Sequence, residues 1–207
     1  MLAVMTQPLP LVERKRRQAR QRIIQAAREL FLERGFDDVS VGDIAERAEV
    51  GRSTFFRHFG DKQEVVFGRE QDLLDTLASA GQADGIPAPR SVAEAVEQLR
   101  PIVLDLCGQV TSVPQDYTRH FQLIEQNLDL RARDAIKMQQ FADKLSAVLI
   151  QRGSDPAIAV LAGQIAIACY QTAKALGNDP LTLVDQTQAA FSRVLALTTE
   201  SPETPRY

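Results

Sequence analysis

Histidine occurs only twice in this 207-residue chain, at His58 and His120, and cysteine only twice, at Cys107 and Cys169. That scarcity excludes whole classes of chemistry. Two cysteines cannot make a disulfide framework; they read as reduced, buried thiols, with a redox-sensing pair as the alternative. No glycine-rich phosphate loop is present, and no metal-ligand cluster is spelled out. With the two histidines far apart in sequence, no catalytic constellation assembles, so neither an enzyme, a cofactor nor a metal is expected. Surplus positive charge is missing too. The chain carries 24 Lys or Arg against 27 Asp or Glu, a net charge of −3, which argues against a uniformly basic coat for DNA. The longest apolar stretch, from Ala157 to Tyr170, is interrupted by Gln164 and reads as too short to span a bilayer. The N-terminus is apolar first and charged later, with Pro8 and Pro10 between, the reverse of a signal peptide. A soluble, cytoplasmic protein with no membrane partner is the expectation.

What the chain does contain is helix. Alternation of β-branched residues is scarce, whereas apolar residues recur at spacings of 3, 4 and 7. The predicted fold class is all-α. A first helix is expected from about Glu13 to Arg34, with Ile23, Ala27, Leu30 and Phe31 as its buried stripe and Gly35 as its stop. Ser40 should cap a short second helix, with Asp43 as capping-box partner and Ile44, Ala45 and Ala48 on its inner face. A third should run from Arg52 to Phe59, pointing Phe55 and Phe59 inward. Asp61 and Glu64 repeat the box at the start of a fourth, predicted to continue unbroken to about Ser79. The Gly- and Pro-rich AGQADGIPAPR at 80–90 breaks the pattern. Five more helices are expected at 91–110, 115–127, 129–152, 155–177 and 180–197. The domain reading is a flexible lead at 1–12, a small helical head at 13–60, a larger helical domain at 61–197 and a disordered tail at 198–207.

Charge is distributed unevenly. Residues 11–70 hold 13 basic and 11 acidic side chains, and the remainder holds 11 and 16. Six basic residues and no acid occupy 14–22, RKRRQARQR, immediately before SVGDIAERAEVGRSTFFRHFGDK at 40–62. The latter reads as two short helices joined by a tight turn, then the capped start of another. Arg52, Ser53 and Thr54 put short donors at the first turn of the third helix, the end that reaches base edges in a major groove. Arg57, one turn on, reaches either a base or a phosphate. His58 and Lys62 suit phosphate contacts that set register. The basic run, including Arg14, Lys15 and Arg17, either tracks the backbone or enters a neighbouring minor groove.

On LFLERGFDDVSVGDIAERAEV and STFFRHFGDKQEVV, residues 13–70 resemble the DNA-binding domain of the TetR family of bacterial one-component regulators. The resemblance implies double-stranded DNA as a partner and a homodimer of all-helical subunits. Each subunit would carry a three-helix head with a helix-turn-helix, and a larger domain for small-molecule binding and dimerisation. By position, Arg52, Ser53 and Thr54 match the family's base-contacting turn, and Phe56, His58 and Lys62 its phosphate-contacting hinge; Ser40, which caps the second helix, joins this DNA-facing set. Three residues depart from the pattern. Phe56 replaces a usual tyrosine, Gly42 a frequent arginine, and Glu49 the usual glycine of the turn.

In the larger domain, Ala159, Ala162, Gly163 and Ala166, with Phe191, Val194 and Leu195, suit a four-helix interface across a twofold axis. Val103, Cys107, Tyr117, His120, Phe121, Ile124, Phe141 and Ile167 have the composition of a small-molecule site, and equally of a helical core. Tyr117 and His120, three apart on one helix, are its polar candidates. The leading functional reading is a ligand-responsive repressor that binds a palindrome as a dimer. The alternative is an activator or architectural DNA-binding protein without an effector.

Overall fold

The computed structural model describes residues 10–80 and 85–199, and among them it has ten helices and no strand. The expected lead and tail fall largely outside the described residues, although Leu11 and Val12 are already helical and α10 runs on to Thr199. The chain divides into two compact units, which meet in sequence between Arg69 and Glu70.

The first unit contains α1 (Leu11–Arg34), α2 (Val41–Arg47), α3 (Arg52–His58) and α4 (Lys62–Val66). Its core follows the apolar spacing of α1: Ile23, Ala26, Ala27, Leu30 and Phe31 are buried along one face. Gly35 ends α1 at φ 81°, donating its N–H to the Phe31 carbonyl at 3.0 Å, and the Phe36 ring folds back to 5.1 Å from that of Phe31. Ile44, Ala45 and Ala48 face inward from α2, and Phe55 and Phe59 from α3. Each large apolar side chain so buried contributes roughly 1.5–3 kcal/mol. The Ser40 capping box forms as expected, its hydroxyl accepting from the Asp43 N–H while the Asp43 carboxylate accepts from the Ser40 N–H.

The predicted single helix from Asp61 to Ser79 is broken. α4 ends at Phe67 and α5 (Gly68–Ala80) begins immediately after it. A Cβ at residue 68 would lie 2.7 Å from Ile24 Cδ1, so glycine allows α1 and this backbone to touch. Arg20 then donates to the Gly68 carbonyl at 2.8 Å. α4 packs on α1, which keeps residues 61–69 with the first unit, whereas the sequence reading began the second at 61.

The second unit holds α6 (Val92–Thr111), α7 (Pro114–Gln126), α8 (Leu128–Gln151), α9 (Pro156–Ala175) and α10 (Leu183–Thr199). The local chemistry explains the boundaries. Ser91 accepts from the Glu94 N–H, Asp155 caps Ala157 and Ile158, and Pro114 and Pro156 occupy first-turn positions where no N–H is needed. α9 packs against α8, α6 and α10. Its small-residue stripe faces inward, which corrects the expected dimer surface. Ala159, Ala162 and Ala166 are wholly buried, and a Cβ at Gly163 would come within 2.6 Å of the Ala142 carbonyl on α8. Phe191 is likewise fully enclosed. Small residues let two helices of the same protomer approach closely, so these five are unavailable to a partner. Val194 and Leu195 remain half-buried. The outward face of α9 instead presents Val160 and Leu161, each about half exposed, with Gln164 and Ala168. By length and composition alone α9 is long and apolar enough to cross a membrane, with a mean hydropathy of 1.3, whereas the sequence reading cut its apolar run short; the core helix of a soluble protein meets the same criterion.

Candidate nucleic-acid interface

The turn between α2 and α3 sets how the first residues of α3 are presented. The Val50 N–H bonds to the Ala45 carbonyl at 2.9 Å and the Glu49 N–H to that of Glu46 at 3.0 Å. This is the paired pattern of a Schellman stop, in which the residue after the cap adopts a left-handed conformation. Glu49 does so at φ 53°, at a cost of roughly 1–2 kcal/mol for a side chain with a Cβ. Its carboxylate lies 3.7 Å from Arg22. Gly51 then caps α3, receiving the N–H groups of Thr54 and Phe55.

Arg52 and Ser53 are exposed at the first turn, and Thr54 is half-buried beside them. One residue further, Phe55 is fully enclosed and stacks tilted against Phe59 at 5.9 Å. Exposed donors on one side and aromatic anchors on the other hold the turn rigidly toward solvent, as base readout requires. Arg57 donates to the Thr54 hydroxyl at 3.2 Å and remains exposed one turn along α3. The Arg52 guanidinium lies across α2, against Gly42, at a shallow recess that Ser40, Asp43, Ala45, Glu46 and Val50 also line.

Phe56 is 56% exposed, an apolar ring on the surface of the first unit. His58 is half-buried, and burial, reinforced by Arg16, Arg57 and Arg20, pushes its pKa below the ordinary 6.5. At neutral pH it is therefore a neutral hydrogen-bonding group rather than a cation. Lys62 differs most from expectation. Its ammonium donates to the carbonyls of Phe36 at 2.8 Å, Val39 at 3.1 Å and Asp37 at 3.3 Å, and sits 4.4 Å from the Phe36 ring centroid. An ammonium has three N–H groups, and all three are directed into the α1–α2 turn. Lys62 is a clamp on that turn, not a free phosphate ligand.

Arg14, Lys15 and Arg17 are exposed on the first two turns of α1, with Arg17 3.7 Å from Glu13. A helix about 10–12 Å across does not enter a minor groove about 6 Å wide, so a helical run suits the phosphate backbone instead. Sequence reasoning did not single out Arg16 and Arg20, whose i, i+4 spacing places them on one face beside His58. Arg20 also stacks over Phe59 at 4.9 Å. Nor did it find Arg47, which bridges α2 to α1 through Glu33 at 2.9 and 3.0 Å and Glu29 at 3.5 Å.

In the second unit the expected pocket residues Val103, Cys107, Tyr117, Phe121, Ile124, Phe141 and Ile167 are all buried. Tyr117 and His120 flank the Phe121 ring at 4.6 and 5.0 Å, and the Tyr117 hydroxyl bonds to Asn178. Two polar pairs stand beside that ring: His120 Nε2 lies 2.7 Å from a Glu70 carboxylate oxygen, and Lys174 forms an ion pair with Asp134 at 3.2 Å, the Lys174 ammonium lying 4.1 Å over Phe121. Sequence spacing gave no hint of Glu70, Asp134 or Lys174. Cys107 contacts Thr187 at 3.7 Å, and burial pushes both thiols up to about 11, so each stays protonated at neutral pH.

Residues 23–67 match the family model for bacterial regulatory proteins of the tetR family. The chain is 49% identical over 56 residues to the HTH-type transcriptional regulator TcmR of Streptomyces glaucescens, covering 27% of this chain and 25% of that protein. It is 34% identical over 110 residues to the regulator HbdR of an Aromatoleum strain, covering 52% and 43%. The matched segments therefore span less than half the length of these relatives. FadR of Thermus thermophilus, a TetR-family repressor solved with lauroyl-CoA, superposes with a TM-score of 0.57 over 91% of this chain and 98% of its own, at 24% identity. That last likeness is one of fold.

Proposed function

We propose that the chain, whose residues 23–67 match the model of bacterial regulatory proteins of the tetR family, is a member of that family and a ligand-responsive transcriptional repressor. In this reading it binds a palindromic operator as a homodimer and leaves it when a small molecule binds the second unit. The carrying observation is the first turn of α3, where Arg52, Ser53 and Thr54 project beyond a core closed by Phe55 and Phe59. Two such turns about 34–36 Å apart would read successive major grooves. Arg14, Lys15, Arg17, Arg57 and Phe56 would flank the bases, with His58 as an uncharged hydrogen-bond partner.

Dimerisation would use the outward side of α9, at Val160, Leu161, Gln164 and Ala168, together with the part of α10 that bears Val194 and Leu195. The effector would lie near Tyr117, His120 and Phe121. An apolar or amphipathic molecule with one polar group suits a lining in which Lys174 and Asp134 are already paired. Release would shift the population between two arrangements by no more than the effector's differential affinity. The relatives that carry the resemblance are regulators, and the proposed role here involves no catalytic step.

Incubating the purified chain with fragmented genomic DNA of its host tests this reading. Recovery of fragments sharing an inverted repeat, bound by a dimer, is the expected result. Recovery that tracks only fragment length, falling uniformly with salt, would overturn it.

A further inference from the structure

Gly42 is the second residue of α2, and nothing in its backbone demands glycine, since it lies in a helix and is not among the positive-φ residues. Glycine is also a poor helix former, so its place in a seven-residue helix forgoes stability. Space is what it provides. A Cβ built there would sit 2.5 Å from Arg52 Nη2 and 3.3 Å from Arg52 Cζ, closer than carbon and nitrogen pack. Its next neighbour, Ser40 Oγ, stands at 3.3 Å. The Nη2 end of the Arg52 guanidinium thus occupies space that exists because residue 42 has no side chain. Arg52 itself is exposed on α3, with solvent as its other possible surroundings.

We infer that Gly42 is a specificity-determining residue, a seat on α2 that fixes where the Arg52 guanidinium meets the DNA base edges. The inference rests on the operator-binding reading above. Relieving a 2.5 Å overlap to ordinary contact moves the guanidinium by about 1 Å, while N–H···O bonds to a base tolerate a window of only about 0.5 Å. Any side chain at 42 therefore dislodges Arg52 from the base it meets in the wild type. The obstacle is the far end of a flexible side chain, so the fold has no need to change. Specificity and stability separate at this position.

Two measurements on the full chain test it. In the free protein, the Arg52 Nε–Hε resonance should shift between wild type and Gly42→Ala, with the thermal midpoint unchanged or raised. On the operator the wild type selects, Gly42→Ala should weaken binding by roughly 5- to 150-fold, the range of a lost bidentate arginine contact. In an Arg52→Ala background the same substitution should change affinity by less than about twofold. Gly42→Ser should repeat both results. An unmoved resonance overturns the seat, and so does a Gly42→Ala loss that persists in full without Arg52. A wild-type chain that selects no sequence overturns the operator reading and the specificity role with it, whatever the resonance does.

Discussion

Lys62 illustrates how a side chain's neighbours decide its role. Its three bonds to the carbonyls of Phe36, Asp37 and Val39 tie the start of α4 to the turn leading into α2. Hydrogen bonds from a charged donor contribute about 1.5–3 kcal/mol each way they are lost, less for a half-exposed group. Lys62→Ala should therefore destabilise the chain by roughly 1–3 kcal/mol in chemical denaturation while leaving the salt dependence of DNA binding unchanged. A salt slope shallower by about 1, with an unaltered midpoint, would return Lys62 to the phosphate set. Its position beside the capped helix was legible in the sequence, but carbonyl partners carry no residue signature, so its engagement was not. The same holds for the pairing of Lys174 with Asp134, 40 residues apart. Arg52, by contrast, was legible because helix starts expose their first residues as a matter of geometry.

Among the elements, caps and stops could be read from local chemistry. Ser40 with Asp43, Asp61 with Glu64, and Gly35 all act where their residue types require it. Glu49 does so against its type, completing a Schellman stop in a conformation glycine adopts freely. Glu49→Gly should relieve roughly 1–2 kcal/mol of strain against about 0.5–1 kcal/mol of added chain entropy, leaving the head unchanged or more stable by up to about 1.5 kcal/mol. Loss of more than about 1 kcal/mol in thermal unfolding would mean that its contact with Arg22 outweighs the strain. The break between α4 and α5 could not be read locally. It depends on Ile24 of α1 meeting Gly68, a contact between segments 44 positions apart that no periodicity within residues 61–79 records.

For the whole molecule, the fold class and the order of helices followed from apolar spacing, but the direction of each face did not. A stripe of Ala159, Ala162, Gly163 and Ala166 suits a close helix neighbour equally well within one protomer or between two. Gly163 against Ala142 resolves it in favour of the protomer. The remaining apolar surface of α9 carries the dimer proposal, and Leu161→Glu should convert a dimer to a monomer at micromolar concentration in sedimentation. A dimer undiminished by that charge would move the interface elsewhere. Operator affinity should fall alongside, because two half-sites held together bind far more tightly than one.

The proposed regulatory role depends on α3 meeting bases through its first turn. Binding-site selection from random duplexes with wild type and Arg52→Ala decides this. The wild type should recover an inverted repeat, and Arg52→Ala should recover the same repeat with preference relaxed at one position in each half. An Arg52→Ala selection identical to the wild type at every position would contradict it.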